Sequence, residues 1–198
     1  KLQNIVDRGM GVLASPGRSC SGYKELDIPI SIDNGAFSSW RRGYPFMANE
    51  FREHLSNAYK NGIDPEFIVC PDVLGGGLDS LDFSMMWVKN ELVGARLALA
   101  VQDGMEPKDI TPEILKHFIY IFVGGTPEWK WKSLPGWVAF AESVGKKIHV
   151  GQVGTLKRLM YCDFLGVDSV DSSSYSRNDS FDVVDAFINK TQSDLFIN

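Results

Sequence analysis

The sequence predicts an α/β fold, a compact (β/α)8 barrel of the TIM type spanning residues 1–198 as a single domain. Three observations carry that expectation. Short, nearly continuous apolar runs recur along the chain, as in parallel strands covered on both faces. Longer stretches with helical spacing separate them, the alternation that builds βαβ units. Asp, Gln and Gly then follow the apolar runs one after another, and parallel strands would deliver all of these groups to one end of a barrel. A doubly wound open sheet is the alternative arrangement of the same elements.

The strands are read at GVLAS (11–15), IPISID (28–33), EFIVCPD (66–72), RLALAVQ (96–102), IYIFVGG (119–125), KIHVGQV (147–153) and GVDSVD (166–171). DLFIN (194–198) is read as an eighth short strand. Helical spacing is read over 47–61, 79–94, 111–117, 128–144, 155–163 and 180–190. No Gly/Ser linker, charge block or low-complexity tract divides the chain.

With 198 residues and 44% hydrophobic side chains, the chain can bury a sizeable core. The composition excludes a coiled coil, a disordered tail and a disulfide scaffold. No apolar run approaches the roughly 18 residues of a membrane span. The first residues lack a long apolar stretch, so neither a membrane partner nor a signal peptide is expected. Cys20, Cys70 and Cys162 are odd in number and far apart. They fit a reducing, cytoplasmic setting, and Cys70 and Cys162 read as core residues. No His/Cys/Asp set has ligand spacing, so no metal and no cofactor are expected. The net charge of −5 argues against a generally basic coat, but residues 121–160 carry six Lys and Arg against Glu128 and Glu142 alone. Local field governs polyanion binding more than net charge does.

The chemistry lies at the strand ends: Asp33-Asn34-Gly35, Cys70-Pro71-Asp72, Gln102-Asp103-Gly104, Gly124-Gly125-Thr126, Gly151-Gln152-Val153-Gly154 and Asp168-Ser169-Val170-Asp171. Asp and Gly also make ordinary turns after strands, but turns do not demand several Asp, a Gln and a Gly-Gly together. Carboxylates across a pocket permit glycosidic chemistry, one attacking or stabilising an oxocarbenium-like centre while the other moves protons. A further Asp and a Gln suit a flat heterocycle, because a carboxylate accepts from ring N–H groups and an amide both donates and accepts. Cations interleaved with aromatics flank these ends: Trp40-Arg41-Arg42, Trp129-Lys130-Trp131-Lys132, Lys157-Arg158 and Tyr175-Ser176-Arg177. Such a rim suits phosphate contacts and base stacking. Gly75-Gly76-Gly77 lacks the Lys-Ser/Thr of a phosphate-binding P-loop and reads as a flexible lid or a loop that contacts nucleic acid. His54, His117 and His149 stand alone, with His149 read as structural.

The stretch HVGQVGTLKRLMYCDFLGVDSVDSSSYSR (149–177) resembles the tRNA-guanine transglycosylase superfamily, in which a Val-Gly-Thr turn, a helix, a Gly-Val-Asp-x-x-Asp segment and an Arg follow one another. Asp-Asn-Gly-Ala-Phe (33–37) looks like that family's Asp-Ser-Gly-Gly-Phe. Val101-Gln102-Asp103-Gly104 looks like its Val-Gln-Gly-Gly, and Val123-Gly124-Gly125 like its Ile-Gly-Gly. The resemblance runs from Asp33 through Arg177. It implies a TIM barrel in which Asp171 is the nucleophile that bonds to the sugar C1′ and Asp33 the general acid/base. It also implies that Asp72, Gln102 and the amides of Gly124 and Gly125 hold the base.

The departures are informative. The family's Cys-x-Cys-x-x-Cys…His zinc subdomain has no counterpart here, so a tRNA-docking surface is not expected. Ser38-Ser39-Trp40 replaces a Gln after the Phe, and Asp103 replaces a Gly beside the base reader, so an altered base is expected. The resemblance is closest to the small DNA-acting branch of the superfamily. It implies a DNA glycosylase that removes a modified base, flipped from the duplex or single-stranded already, as in defence against phage. The alternatives are base exchange that inserts a free 7-deazaguanine and a non-catalytic nucleic-acid-binding barrel. The nucleic-acid path is assigned to Trp40, Arg41, Arg42, Lys130, Lys132, Lys157, Arg158 and Arg177.

Overall fold

A computed structural model describes residues 2–177 and 181–194. Its centre is a seven-stranded, all-parallel sheet with the strands in chain order. They are β1 (Val12–Ala14), β2 (Ile30–Ile32), β3 (Ile68–Val69), β4 (Leu97–Val101), β5 (Phe118–Val123), β6 (Lys147–Val150) and β7 (Ser169–Val170). An order without reversal differs from the doubly wound alternative, which turns back at a switch point. The helices are α1 (Leu2–Val6), α2 (Ala36–Arg41), α3 (Ala48–Lys60), α4 (Gly77–Asn90), α5 (Pro112–Leu115), α6 (Pro127–Ser143), α7 (Leu156–Leu165), α8 (Ser174–Arg177) and α9 (Asp182–Asp194). Of the eighth strand read at 194–198, Asp194 is the last residue of α9, and the rest lies outside the described residues. No helix among the described residues is long and apolar enough to cross a membrane.

The sheet is curled. Phe67, just before β3, meets His149 of β6 with ring centroids 5.3 Å apart, although β4 and β5 lie between those strands. In a flat sheet, strands three places apart stand about 14 Å from one another. The concave face carries Phe67, Val69, Ala98, Ala100 and Tyr120, with Leu13 and Phe122 against them. Small Ala98 and Ala100 leave room for the large rings beside them, which is how a narrow interior fills without voids. The convex face carries Ile32, Ile68, Leu99, Val101, Ile121 and Val150, packed with helical residues such as Phe51, Trp87, Leu134 and Trp137. All five residues of β4 are buried, which explains its unbroken apolar sequence.

Local signals place the helices. Thr126 caps α6 by accepting from the Trp129 amide, with Pro127 in the first turn, where its missing N–H costs nothing. Thr155 caps α7 in the same way, and Gly166 ends it at φ 78°. Far along the chain, Arg8 clamps Asp185 of α9 through Nε–Oδ1 (2.6 Å) and Nη2–Oδ2 (2.9 Å), tying the segment after α1 to the last helix.

Candidate active site

β2 runs directly into the first candidate catalytic residue. Asp33 follows Ile32, and its Oδ2 accepts from Ser15 Oγ at 2.9 Å. The turn into α2 needs Gly35 at φ 79°, and a Cβ there would meet Pro16 Cγ at 2.8 Å. Asn34 Oδ1 accepts from the Ala36 amide at 2.8 Å and holds that turn. The Asp33 carboxyl is held above the ordinary range, first by burial and further by the charge of Asp171, while Ser15 opposes the shift. Asp33 and Asp171, at the ends of β2 and β7, therefore lie within electrostatic reach, as the curl of the sheet requires.

The groups expected to read the base form a buried network. Asp72 is 5% exposed and Gln102 3% exposed. Asn34 Nδ2 donates to Asp72 Oδ1 at 2.7 Å and to the Cys70 carbonyl at 2.8 Å. Gln102 Nε2 makes a short contact with Asp72 Oδ2. Burial raises the Asp72 carboxyl to about 7 against the donors that oppose the shift, with the charge of Asp33 adding to it. Gln102 Oε1 is buried without a hydrogen-bond partner in the structure, an unsatisfied acceptor of the kind that calls for a donor.

At the opposite wall, β7 delivers Asp171. Its backbone is fixed on both sides: its amide donates to Val150 O (3.2 Å), and its carbonyl accepts from the Val153 amide (2.7 Å). Tyr175 donates to the Val153 carbonyl and pins the same turn. His149, read from the sequence as merely structural, contacts the Asp171 carboxylate: Nε2 lies 3.2 Å from Oδ1, and Nδ1 lies 2.8 Å from Ser169 Oγ. Asp168, by contrast, accepts from the Ile148 amide at 2.8 Å and serves the strand.

Gly124 and Gly125 end β5. The Gly124 amide is engaged in the sheet, donating to Val101 O at 3.0 Å, which corrects its expected role as a free donor to a base. Gly125 has φ 74°, and a Cβ there would meet Trp129 at 2.7 Å. Asp103 accepts from the Thr126 amide at 2.7 Å and from its hydroxyl. It clamps the turn after β4 to the cap of α6. The Gly75-Gly76-Gly77 run forms the turn into α4, steadied by the Val73 amide donating to Ser80 Oγ at 2.9 Å.

The expected rim divides. Trp40 is 59% exposed, and Arg41 and Arg42 are exposed beside it. Phe37 stacks on Trp40 at 6.0 Å, Arg41 lies over Phe37, and Arg42 over Tyr44, so the end of α2 presents cations and ring faces together. Lys132 and Lys157 are exposed, and Arg158 lies over Trp131 at 4.9 Å. Trp129 and Trp131 pack partly buried against the core. Lys130 overturns the expectation of a phosphate contact: it is 3% exposed and donates to the Gly151 carbonyl at 2.6 Å. Arg177 ends α8, and its side chain lies outside the described residues. A cavity of about 350 Å³, lined by Arg96, Tyr120 and Lys147 among others, opens where the strands begin, at the end opposite these groups.

Two carboxyl groups in unlike surroundings thus end β2 and β7: Asp33 is partly buried and raised above the ordinary carboxylate range, while Asp171 is held by the His149 imidazole. Among the described residues no three His, Cys, Asp or Glu side chains gather as a metal-binding group. No protein-family model matches the chain, and no curated protein matches it.

Proposed function

We propose that the protein cleaves the N-glycosidic bond of a base in DNA, a modified base foremost, within a barrel of the TIM class. The observation that carries this reading is the placement of Asp33 and Asp171 directly after β2 and β7, at the same end of one curled parallel sheet, with Asp33 raised by burial and by the charge of Asp171. The motif resemblance from Asp33 through Arg177 gives the same two residues their roles. Asp171 attacks C1′ as the bond to the base breaks, and the departing base nitrogen takes the proton of Asp33. Asp33, now ionised, draws a proton from water, whose oxygen displaces Asp171 from C1′ and leaves an abasic sugar. Splitting one hard displacement into two easier ones is the logic of covalent catalysis.

The buried Asp72–Gln102 pair supports recognition of a base, since the unpartnered Gln102 Oε1 offers an acceptor to a ring or exocyclic N–H. The exposed Trp40, Arg41 and Arg42 supply a path for the strand that carries it. The deciding experiment incubates the protein with DNAs bearing unmodified bases and 7-deazaguanine derivatives, then identifies released bases by mass spectrometry. Release without added base, leaving an abasic site, supports hydrolysis. Product formed only when a free 7-deazaguanine is supplied assigns base exchange instead. Binding without release from any DNA assigns a non-catalytic reader.

A further inference from the structure

Resting on the glycosidic reading, we infer that His149 is the positioning residue of Asp171, holding one carboxylate oxygen so that the other is presented to C1′. His149 lies on the concave face, buried, with its ring stacked on Phe122 at 4.8 Å and met edge-on by Phe67 at 5.3 Å. Those two rings fix the plane of the imidazole, so its nitrogens have fixed targets. Register does the rest: His149 pairs with Ser169 across β6 and β7, and Asp171 stands two residues further along the same face.

The direction of the hydrogen bonds follows from donor capacity. An ionised carboxylate only accepts, so the contact between His149 Nε2 and Asp171 Oδ1 needs the proton on Nε2. Ser169 Oγ then donates to Nδ1, which fixes the Nε2–H tautomer in the neutral ring. Asp171 Oδ2 has no partner among the described residues, and the side chain keeps about a quarter of its surface open. Gly151 makes the close packing possible, because a Cβ there would lie 3.1 Å from the Phe122 ring and 3.4 Å from Asp171 Oδ1. The carboxylate is thus held through one oxygen from below and left free at the other. The same residue types form nucleophilic triads in hydrolases. Here the member at the open strand end is Asp171, and Ser169 lies deeper along β7.

The test uses the full chain and a single-stranded oligonucleotide carrying one 7-deazaguanine. His149→Ala is expected to lower kcat by roughly 10- to 100-fold, the range typical when a group that orients a reacting one is lost, with KM nearly unchanged. His149→Gln places an amide N–H near the position of Nε2 and is expected to recover most of that loss. Imidazole nitrogen NMR of the wild type is expected to show Nε2 protonated and Nδ1 bare, with the Nε2 signal displaced in Asp171→Ala. A wild-type kcat in His149→Ala, a folded His149→Gln no better than Ala, or an Nδ1–H tautomer would overturn the inference while leaving base release intact. A wild-type protein inert on this oligonucleotide and on every DNA of the base-release experiment would remove the glycosidic reading and this inference with it.

Discussion

Asn34 Nδ2 donates to Asp72 Oδ1 across 2.7 Å, joining the turn after β2 to the turn after β3 at the floor of the candidate site. Even with that donor, burial leaves the Asp72 carboxyl raised to about 7. Between the unfolded value of 3.8 and about 7, the folded protein holds a proton that the unfolded chain has lost. Stability therefore falls as pH rises through this window, by up to about 4 kcal/mol at 1.4 kcal/mol per unit. Denaturant melts at pH 5 and pH 7.5 should show the fall, and Asp72→Asn should flatten it. A wild-type protein equally stable at both values would contradict the buried, proton-holding carboxyl.

Asp171→Asn keeps the size of the side chain and removes the anion. Base release should fall by several orders of magnitude, as when a covalent catalyst is lost. Asp33→Asn should cost roughly 10²–10⁴-fold, the usual contribution of proton transfer. Because Asp33 also activates the water, that variant should accumulate a protein–DNA adduct through Asp171, visible by intact-mass measurement. Full activity in Asp171→Asn would end the covalent mechanism.

Arg41→Ala with Arg42→Ala should weaken DNA binding and make its salt dependence shallower. For two lost phosphate contacts the slope of log K against log salt should drop by about 1.5. Trp40→Ala should weaken binding with little change of slope, since stacking on a base releases no counterions. Fluorescence anisotropy across a salt series separates the two outcomes. An unchanged slope in the double variant would move the strand path elsewhere on the surface.

Lys130 should behave unlike those arginines. Burial lowers its ammonium from 10.5 to about 8. Between these values the unfolded chain binds the proton and the folded protein does not, so stability rises with pH across the window, by up to about 3 kcal/mol. Lys130→Met should abolish that rise and leave the salt slope of DNA binding untouched. A changed slope would return Lys130 to the phosphate path.

The sequence alone determined seven strands, β1 to β7, and the residues that follow them. Parallel strands buried on both faces must be apolar almost throughout, so each run could be seen without its partners. Asp33, Asp72, Gln102 and Asp171 were legible because polar groups directly after such runs have one end of a sheet to occupy. Two further signals were present in the local periodicity. Lys130, Leu134, Trp137 and Ala141 form the buried stripe of α6 at helical spacing, although Trp129-Lys130-Trp131-Lys132 reads locally as an exposed rim. His149 alternates with Ile148 and Val150, which puts it on the concave face.

What faced it there could not be read. The curl of the sheet, the register of β6 against β7 and the stacking of Phe122 decided that His149 reaches Asp171. The same curl brought Asp33 within reach of Asp171, and the packing of α6 on β6 turned Lys130 inward to the Gly151 carbonyl. Strand-forming patterns are set by neighbours along the chain, whereas these partners are set by distances across the folded sheet, and only tertiary packing fixes those.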